Sequence, residues 1–331
     1  MGLEIILRVL VTGANGFVGH KVVYDLLEKN YFVYAVTRKP NVVQHPNYIN
    51  YVHEDLYNAS IWKEVLRDID VVIHLAARVH QMNDSSNNPW EEYEKVNIYL
   101  TKMISEAAVK NGVKHFIYMS SVKVNGEESN IAYNEKSIPN PVDDYGKSKY
   151  IAEQNLKEVS IKSSMKISII RPPLVYGEGV KANFLSLVKL VDSSIPLPFK
   201  HMKNKRSMIY VGNLSDSVCH IIEHVKKEYN IYMVADENPI STEQLVLEIS
   251  KALNRKSHLF PVPTSFFNLV GLITRKSMEV QRLVGSLHIE TKLIQDELDW
   301  QPKYTMQEGL LKTLESYKRT RELSEEFEKI N

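Results

Sequence analysis

Three glycines near the N-terminus constrain the fold of this chain more than any other feature. Gly13, Gly16 and Gly19 lie between a predicted buried strand, Arg8 to Thr12, and a predicted helix, Gly16 to Asn30, whose apolar residues recur at helical spacing. Glycines at such a junction allow a tight turn, a close approach of the backbone to a phosphate, and close packing of the helix on the strand. The N-terminus of a helix attracts anions through its free N–H groups and its dipole. The turn therefore predicts a binding site for the pyrophosphate of a dinucleotide.

The first half of the chain alternates between apolar, strand-like runs and helical patterns. Such alternation predicts a parallel sheet with helices on both faces. The predicted strands after the first are Phe32 to Thr37, Ile49 to His53, Val71 to Leu75, Phe116 to Ser120 and Ile167 to Arg171. The longest predicted helices are Glu91 to Asn111 and Tyr145 to Val159. We therefore predict an α/β fold with a Rossmann-type, doubly wound parallel sheet.

Beyond about residue 175 the pattern changes to helices with short, scattered strands such as Ser207 to Val211 and Ile231 to Val234. We predict a dinucleotide-binding domain over residues 1–175, which carries the catalytic residues, and a smaller, mainly helical substrate-binding lobe over residues 176–331. Segments around residues 206–236 are expected to return to the main sheet. The apolar segment Ser265 to Thr274 is too short to cross a bilayer, and we interpret it as a core or subunit-packing helix in preference to a peripheral membrane contact.

The composition excludes several classes of protein. A formal net charge of +1 and lysines interspersed with acids leave no basic field for nucleic acid. The single cysteine, Cys219, excludes an internal disulfide framework and suits a reducing compartment. No metal-ligand spacing, signal peptide or membrane span is found, so we expect a cytoplasmic protein without a metal site.

A tyrosine and a lysine at helical spacing form the candidate catalytic pair. Of the 18 tyrosines only Tyr145 is followed four residues later by a lysine, Lys149, which places both side chains on one face of a helix. A neighbouring ammonium lowers the pKa of a phenol toward the range useful for acid–base catalysis. Ser120 and Ser121 end the fifth predicted strand, at the carboxyl edge where open α/β sheets bind ligands. A serine there is placed to hydrogen-bond a carbonyl or hydroxyl group during hydride transfer, while the tyrosine moves the proton.

With these motifs in order, the chain resembles the extended branch of the short-chain dehydrogenase/reductase family, which includes nucleotide-sugar epimerases, dehydratases and ketoreductases. The resemblance covers nearly the whole chain. Its motifs are Thr12 to Gly19, Asp55-Leu56, His74 to Ala77, Asn97, Ser120-Ser121, Tyr145 to Lys149, and Arg171 to Gly177. The resemblance implies catalytic roles for Ser121, Tyr145 and Lys149, where counting back from Gly126 selects Ser121 over Ser120. It also implies that Asn97 braces the sheet behind the active site.

The same resemblance implies which residues bind the ligands. Those expected to bind the dinucleotide are Gly13, Asn15, Gly16, Phe17, Val18, Gly19, Asp55, Leu56, Ala76, Tyr145 and Lys149. Those expected to bind a UDP-sugar are Asn183, Phe184, Arg206 and Arg282 near the nucleotide, with Arg78, His80 and Lys123 near the sugar. The chain departs from the family pattern at Leu174, where many members carry an asparagine. This puts one polar contact near the nicotinamide or sugar in doubt.

The residues after the second strand indicate the type of dinucleotide. An acid there typically binds the ribose of NAD, whereas a basic residue accommodates the extra phosphate of NADP. The chain reads Val36-Thr37-Arg38-Lys39, with no acid between Val33 and Pro40. We therefore expect Arg38 to favour NADP(H) over NAD(H).

Three reactions are open to a chain of this kind. Dehydratases of the family carry an Asp-Glu pair directly after the catalytic hydroxyl residue, but here Val122 and Lys123 occupy those positions, which disfavours dehydration. A ketoreductase uses exchangeable NADPH, whereas a 4-epimerase retains its cofactor, usually NAD. The expected NADP(H) therefore favours reduction of the C4 keto group of a UDP-linked 4-keto-6-deoxy-(N-acetyl)hexosamine. The alternative is a UDP-sugar 4-epimerase acting on UDP-GlcNAc or UDP-glucose with tightly bound NAD.

Two further segments place the chain within the family. Ala77 to Met82 and Ser120 to Glu127 resemble a UDP-glucose 4-epimerase-like subgroup from bacterial surface polysaccharide pathways. Because Ser121, Tyr145 and Lys149 are all present, a non-catalytic NADP-binding sensor is the least favoured alternative. Members of the family often dimerise through the two long helices, which makes a homodimer an expectation here.

Overall fold

A seven-stranded, wholly parallel sheet forms the centre of the protein. The structure is a computed structural model and describes residues 6–40, 43–79, 88–263, 265–267, 272–273 and 277–330. The strands in the described residues are β1 (Arg8–Thr12), β2 (Phe32–Thr37), β3 (Tyr48–Val52), β4 (Val71–His74), β5 (His115–Met119), β6 (Lys166–Arg171), β7 (Leu174–Tyr176), β8 (Leu197–Lys200), β9 (Met208–Tyr210), β10 (Tyr229–Met233) and β11 (Leu259–Pro261). The order in the main sheet is β10-β6-β5-β4-β1-β2-β3. This order confirms the predicted doubly wound sheet.

Helices cover both faces of the sheet and form most of the C-terminal half. In the described residues they are α1 (Phe17–Glu28), α2 (Ala59–Val65), α3 (Pro89–Tyr93), α4 (Leu100–Lys110), α5 (Asp144–Lys162), α6 (Ala182–Asp192), α7 (Val211–His224), α8 (Thr242–Leu253), α9 (Ser277–Val284), α10 (Lys292–Leu298) and α11 (Met306–Ile330). A π-helical segment, Glu94–Tyr99, joins α3 to α4, so the long helix predicted over Glu91 to Asn111 is one helix with an irregular centre.

Burial of the strands explains why the sequence pattern predicted them. Every residue of β4 and β5 is buried, and such strands read as continuous apolar runs. Side chains of β1 alternate between faces: Val9 and Val11 pack with α1 and α7, whereas Leu10 packs on the face covered by α2, α4 and α5. The predicted bounds of β1 and β2 match the observed ones, and the other predicted strands of the first half differ by one residue at their ends.

The second half of the chain both extends the main sheet and builds a lobe of its own. β10 pairs with β6 at the edge of the main sheet, and α7 packs against α1. In contrast β9 pairs with β7, and β8 pairs with β11, in two separate two-stranded sheets. These sheets and the helices α6, α8 and α11 enclose a third apolar core. The chain therefore crosses between the sheet and the lobe after the boundary predicted near residue 175.

The apolar segment Ser265 to Thr274 is only partly accounted for by packing. Phe267 is buried and its ring stacks on that of Phe199, with centroids 6.1 Å apart. Phe266, Leu272 and Ile273 are exposed instead. Core packing therefore accounts for Phe267 alone among these side chains, and subunit packing of the other three stays a prediction. No helix in the described residues is long and apolar enough to cross a membrane.

Candidate active site

The glycine turn after β1 admits no side chains at two of its three glycines. Gly13 has φ +70°, and a Cβ there would lie 2.7 Å from the backbone nitrogen of Ala76. A Cβ at Gly19 would lie 2.1 Å from the carbonyl oxygen of Gly13. The first glycine thus lets the chain turn against β4, and the last lets α1 pack on the turn. These are the steric roles that the sequence pattern predicted.

The N-terminus of α1 is suited to a phosphate. Gly16 occupies the N-cap position, and no side chain caps the helix, so the N–H groups of its first turn are available to an anion. Asn15 donates a hydrogen bond from Nδ2 to the carbonyl oxygen of Lys39 at 2.9 Å, which ties the turn to the end of β2. Phe17 and Val18 form the first turn of the helix. The residues present therefore fit a dinucleotide pyrophosphate.

The residues expected around the adenosine lie at the ends of β2 and β3. Arg38 and Lys39 are exposed after β2. After β3, a carboxylate oxygen of Asp55 accepts the backbone N–H of Tyr57 at 2.9 Å, and Leu56 is buried beside them. Burial raises the pKa of Tyr57, while the positive charge of Arg38 lowers it and the negative charge of Asp55 raises it. Arg38 and Asp55 therefore lie within electrostatic reach of the same phenol, at the same edge of the sheet.

A buried chain of hydrogen bonds, which the sequence analysis did not anticipate, runs from β1 to the π-helical segment. Thr101 donates from its hydroxyl to the carbonyl oxygen of Asn97 at 2.7 Å, so it accepts a hydrogen bond from Nε2 of His74 at 2.9 Å. Nδ1 of His74 then accepts the hydroxyl of Thr12 at 2.7 Å, and Thr12 in turn accepts the backbone N–H of Ala76 at 3.2 Å. Burial lowers the pKa of His74 to about 3. A neutral imidazole thus fixes the loop after β4 beside the glycine turn.

Asn97 braces this loop against the catalytic helix. Its carboxamide oxygen accepts the backbone N–H of Arg78 at 2.8 Å. Its Nδ2 donates to the carbonyl oxygen of Arg78 at 3.0 Å and to the hydroxyl of Ser148 on α5 at 2.9 Å. The π-helical segment carries Asn97 to this position, and such segments are frequent at functional sites. Asn97 therefore holds the bracing position that the resemblance implied.

The two serines after β5 point in different directions. Ser120 is buried and donates its hydroxyl to a carboxylate oxygen of Glu153 at 2.5 Å. Ser121 caps a short 3₁₀ turn and accepts the backbone N–H of Lys123 at 3.3 Å. The hydroxyl of Ser121 also lies near enough to the phenol of Tyr145 to lower the pKa of that phenol. The structure thus places Ser121, and not Ser120, beside the tyrosine.

Tyr145 and Lys149 share one face of α5, near the carboxyl end of β5. Lys149 is almost fully buried, and its Nζ donates to the carbonyl oxygen of Met119 at 2.8 Å and lies 5.9 Å from the centroid of the Tyr145 ring. Burial lowers the pKa of Lys149 to about 7. Burial also raises the pKa of Tyr145, the charge of Asp143 raises it further, and the nearby hydroxyl of Ser121 lowers it. The expected lowering of the Tyr145 pKa by Lys149 is thus absent in this state, because burial disfavours the charged form of both groups.

A cluster of four charges, which we call the ionic cluster, lies beside Tyr145. It consists of Lys123, Glu127, Asp143 and Arg282. Nζ of Lys123 lies 2.5 Å from Asp143 and 2.6 Å from Glu127, and it is 5.8 Å from the centroid of the Tyr145 ring. Nη2 of Arg282, from α9, lies 3.2 Å from Glu127 and 3.8 Å from Asp143. The sequence analysis singled out both cations but neither acid, although Asp143 stands at the N-cap of α5, a position that favours aspartate.

A buried ion pair fixes α5 on the sheet. Arg171 at the end of β6 donates from Nε to a carboxylate oxygen of Glu153 at 2.9 Å and from a terminal nitrogen to the other oxygen. It also donates to the carboxamide oxygen of Asn125 at 3.2 Å. Because Ser120 donates to the same carboxylate, β5, β6 and α5 meet at Glu153. The sequence analysis did not identify Glu153.

The structure brings some of the expected UDP-sugar residues close to one another. Arg206 donates from Nη1 to the carbonyl oxygen of Gly285 at 3.1 Å. Burial lowers the pKa of Arg206, the charge of Glu127 raises it, and that of Arg282 lowers it, so Arg206 lies within electrostatic reach of the ionic cluster. The guanidinium of Arg78 lies 5.7 Å from the centroid of the Tyr93 ring, which is 6.4 Å from the ring of Tyr145.

Other expected residues lie apart from this group or have another function. Asn183 is exposed at the start of α6. Phe184 is buried in the core of the lobe, where its ring stacks on that of Tyr176 with centroids 5.5 Å apart. Its side chain is therefore engaged in packing. Leu174 is exposed at the start of β7, and His80 lies outside the described residues. The described residues hold no cluster of three or more potential metal ligands.

Comparisons with known proteins identify relatives that match nearly the whole chain. The model of the NAD dependent epimerase/dehydratase family matches residues 9–235. A UDP-glucose 4-epimerase of Vibrio cholerae is 38% identical over 313 residues, which cover 93% of this chain and 95% of that protein. An N-acetyl-alpha-D-glucosaminyl-diphospho-ditrans,octacis-undecaprenol 4-epimerase of Escherichia coli O157:H7 is 29% identical over 326 residues, covering 93% of this chain and 94% of that protein.

A solved structure supports the fold. The UDP-glucuronic acid 4-epimerase of Bacillus cereus, in complex with UDP-glucuronic acid and NAD, superposes with a TM-score of 0.76. The superposition covers 95% of this chain and the whole of that one, at 21% identity. At this identity the likeness concerns the fold alone.

Proposed function

We propose that this chain, which belongs to the NAD dependent epimerase/dehydratase family, is a UDP-sugar 4-epimerase. The chain is an enzyme of the extended short-chain dehydrogenase/reductase group that acts on nucleotide sugars. One observation carries the proposal: Ser121 lies beside the phenol of Tyr145, and Lys149 lies near the same ring, in a chain that matches a UDP-glucose 4-epimerase over 93% of its length. The names of the relatives favour epimerisation over the ketoreduction expected from the sequence.

The proposed roles of Ser121 and Tyr145 concern the hydroxyl group at C4 of the sugar. Tyr145 takes the proton of this hydroxyl and later returns it, while Ser121 holds the oxygen in place. A bound dinucleotide supplies a hydride acceptor and donor for the C4 carbon. Tyr145 must be ionised to accept the proton, and the hydroxyl of Ser121 is the group that favours this ionisation by lowering the pKa of the phenol. Nζ of Lys149 lies 5.9 Å from the centroid of the same ring.

The two positions that hold an acid–base pair in this family's dehydratases hold no such pair here. Val122 is buried, and Lys123 is held by Asp143 and Glu127 at 2.5 and 2.6 Å. A cation held in this way does not abstract a proton from the sugar. The arrangement therefore supports chemistry confined to C4.

The proposed dinucleotide site is formed by residues of the glycine turn and of the neighbouring strand ends. Its members are Gly13, Asn15, Gly16, Phe17, Val18 and Gly19 for the pyrophosphate, Asp55 and Leu56 for the adenine, Ala76 for the groove, and Lys149 for a ribose hydroxyl. The family uses NAD or NADP. We propose that the dinucleotide here is NADP(H), in contrast to the NAD usual for 4-epimerases, because the guanidinium of Arg38 lies exposed at the end of β2 and no acid follows this strand before Pro40.

The proposed UDP-sugar site joins the two parts of the chain. Arg206 and Arg282 bind the diphosphate, since a guanidinium donates two parallel hydrogen bonds to phosphate oxygens, and Asn183 contributes from α6. Arg78 and Lys123 line the sugar pocket on the side of the catalytic residues. Residues 1–175 thus supply the dinucleotide site and the catalysis, and residues 176–331 supply most contacts to the UDP moiety.

A 4-ketoreductase is the second candidate, and one observation favours it. Arg38 and Lys39 at the end of β2 suit the extra phosphate of NADPH, which reductases exchange at every turnover. The substrate in that case is a UDP-linked 4-keto-6-deoxy-(N-acetyl)hexosamine, and the same Tyr145 donates the proton to the C4 oxygen.

Product analysis by NMR distinguishes the two reactions. Purified protein is incubated with UDP-glucose or UDP-GlcNAc without added dinucleotide, and separately with UDP-4-keto-6-deoxy-GlcNAc and NADPH. We expect the C4 epimers to appear in the first arm, and Tyr145→Phe to lower this turnover roughly 10²- to 10⁴-fold. The matched control, Tyr24→Phe, changes an exposed tyrosine of α1 and should leave turnover unchanged.

The other results have equally definite meanings. Consumption of NADPH in the second arm alone would replace the epimerase by the reductase. Inactivity in both arms, with a folded protein, would contradict both candidates.

A further inference from the structure

A long stretch of the lobe carries no acidic residue. Residues 249–278 contain neither Asp nor Glu, although the whole chain holds 40 acids in 331 residues. The cations of this stretch are Lys251, Arg255, Lys256, Arg275 and Lys276. They flank an apolar run, residues 259–273, on both sides. We call residues 249–278 the acid-free stretch.

Several large apolar side chains of the acid-free stretch are exposed. Phe260 is 43% exposed, Phe266 54%, Leu272 74% and Ile273 72%. Their neighbour Phe267 is buried in the lobe, so the chain is anchored at this point while the adjacent Phe266 faces outward. Exposed aromatic and aliphatic groups at this density, within one short segment, indicate an interaction surface.

Positively charged side chains lie beside the start of the apolar run. Lys200, His201 and Lys203 line a cavity of about 730 Å³ together with Pro261, Val262 and Pro263. Lys251 and Lys256 are exposed on the acid-free stretch itself.

Two acids of other elements contact this basic surface. Asp192 pairs with Arg255 at 3.0 Å, and Glu243 accepts the backbone N–H of His201. The exposed lysines Lys251 and Lys256 belong to neither contact. The surface is therefore basic as well as apolar.

We propose that the exposed side chains of the acid-free stretch that the structure describes dock the lobe on the surface of an anionic lipid bilayer. They are Phe260, Phe266, Leu272 and Ile273, with Lys251 and Lys256. Apolar side chains enter the boundary between head groups and acyl chains, while flanking cations attract the lipid phosphates. A lysine also extends its alkyl stem along an apolar surface and keeps its ammonium among the head groups. The contact is peripheral, since no helix in the described residues is able to span a membrane.

A second copy of the chain fits this surface less well than a bilayer does. A symmetric dimer contact places the same patch on both subunits, so the cations of the acid-free stretch would face one another. Like charges across an interface are unfavourable, and lysine is depleted from protein–protein interfaces. Anionic lipid offers both the apolar depth and the opposite charge.

Vesicle sedimentation tests the proposal. The full chain is mixed with vesicles of phosphatidylcholine alone, or of phosphatidylcholine with phosphatidylglycerol, at low and at high salt. We expect binding to the anionic vesicles that weakens with salt, and little binding to the neutral ones. The double variant Leu272→Ser/Ile273→Ser should lower the partition coefficient about tenfold, because it removes two apolar groups from the boundary.

A matched double variant tests whether vesicle binding depends on this surface or on exposed apolar side chains in general. Ile131→Ser/Ile138→Ser removes two side chains that are 80% and 85% exposed elsewhere on the chain, and it should bind vesicles like the wild type. Lys251→Glu/Lys256→Glu should weaken binding to the anionic vesicles only. Circular dichroism and thermal melting establish that each variant is folded.

The proposal would be overturned if the wild type stayed in the supernatant with both kinds of vesicle. It would also be overturned if the Ile131/Ile138 variant lost as much vesicle binding as the Leu272/Ile273 variant. A third contrary result is a Leu272/Ile273 variant that turns a dimer into a monomer without altering vesicle binding. The test does not depend on the proposed reaction, since binding is measured without substrate. Turnover of a soluble UDP-sugar should be the same in the Leu272/Ile273 variant and the wild type.

Discussion

At the scale of single residues, burial decides the protonation of the candidate catalytic groups. Lys149 is surrounded by the sheet and by Tyr118, whose ring centroid lies 4.6 Å from its Nζ, and Glu153 is the group that favours its charged form. Tyr145 is held in its neutral form by the same lack of solvent. The sequence spacing brings the two side chains to one face of α5, but their pKa values depend on what α5 packs against.

The pH dependence of stability tests the burial of Lys149. The pKa of this lysine is about 7 in the folded protein, whereas it is about 10.4 in an unfolded chain. The unfolded state thus binds more protons between these values, so folding stability rises with pH in that window, by up to about 1.4 kcal/mol per pH unit. Denaturant titrations from about pH 7 to 9 should show this rise for the wild type relative to Lys149→Met. Lys147→Met, at an exposed position of the same helix, should retain the wild-type slope; parallel curves for the wild type and Lys149→Met would refute the predicted pKa.

Arg38 is a second single-residue determinant. Replacing its charge by a carboxylate repels the ribose phosphate of NADP and offers an acceptor to the ribose hydroxyls of NAD. We expect Arg38→Asp to shift the ratio of the two dissociation constants toward NAD by about tenfold or more, because one charge-assisted contact with NADP is lost. Fluorescence titration with both dinucleotides measures it, with Arg67→Asp as an exposed control. An unaltered ratio would remove Arg38 from the site.

At the scale of elements, α5 is the helix on which the site depends. Its N-cap Asp143 accepts the backbone N–H of Gly146 at 2.7 Å and belongs to the ionic cluster. Its first two turns carry Tyr145 and Lys149, and its next turn carries Glu153, which binds Arg171 at the end of β6. One helix therefore holds the catalytic pair at fixed distances from the carboxyl edge of two strands.

The Arg171–Glu153 pair should contribute much more stability than a surface pair on the same helix. Glu153→Gln leaves the buried guanidinium without its counter-charge, which costs about 3 kcal/mol or more. Glu158→Gln breaks the exposed pair with Lys162, 3.5 Å long, and should change the free energy of unfolding by less than about 1 kcal/mol. Urea denaturation of both variants gives the comparison. Equal effects would mean that the buried pair does not fix α5 on the sheet.

At the scale of the whole molecule, the lobe is tied to the catalytic domain through the ionic cluster. Arg282 reaches from α9 to Glu127 and Asp143, and Arg206 lies within electrostatic reach of Glu127 and Arg282. The main sheet also depends on the second half of the chain, because β10 forms its edge. The proposed nucleotide ligands Arg206 and Arg282 and the proposed proton-transfer residue Tyr145 therefore lie near the same cluster, although they are far apart in sequence.

Arg282 should affect substrate binding more than the chemical step. Arg282→Met removes a proposed diphosphate ligand, so KM for the UDP-sugar should rise about tenfold or more, while kcat changes less. Arg255→Met removes an arginine that pairs with Asp192 within the lobe and should leave both constants near those of the wild type. Steady-state kinetics on the purified variants measures the split. A fall in kcat at constant KM would assign Arg282 to the proton-transfer side of the cluster instead.

The sequence was enough to predict the strands of the first half of the chain, the glycine turn and the spacing of Tyr145 and Lys149, because these depend on local periodicity and on the sterics of single residues. It could not separate the roles of neighbouring side chains. Tertiary structure alone decided that Ser120 faces Glu153 while Ser121 faces Tyr145, that Phe184 packs in a core, and that Phe266, Leu272 and Ile273 remain exposed. It also assembled Lys123, Glu127, Asp143 and Arg282 from distant parts of the chain. Long-range packing sets which groups lose water and which charges meet, and these two effects fix the pKa values and the geometry of the site.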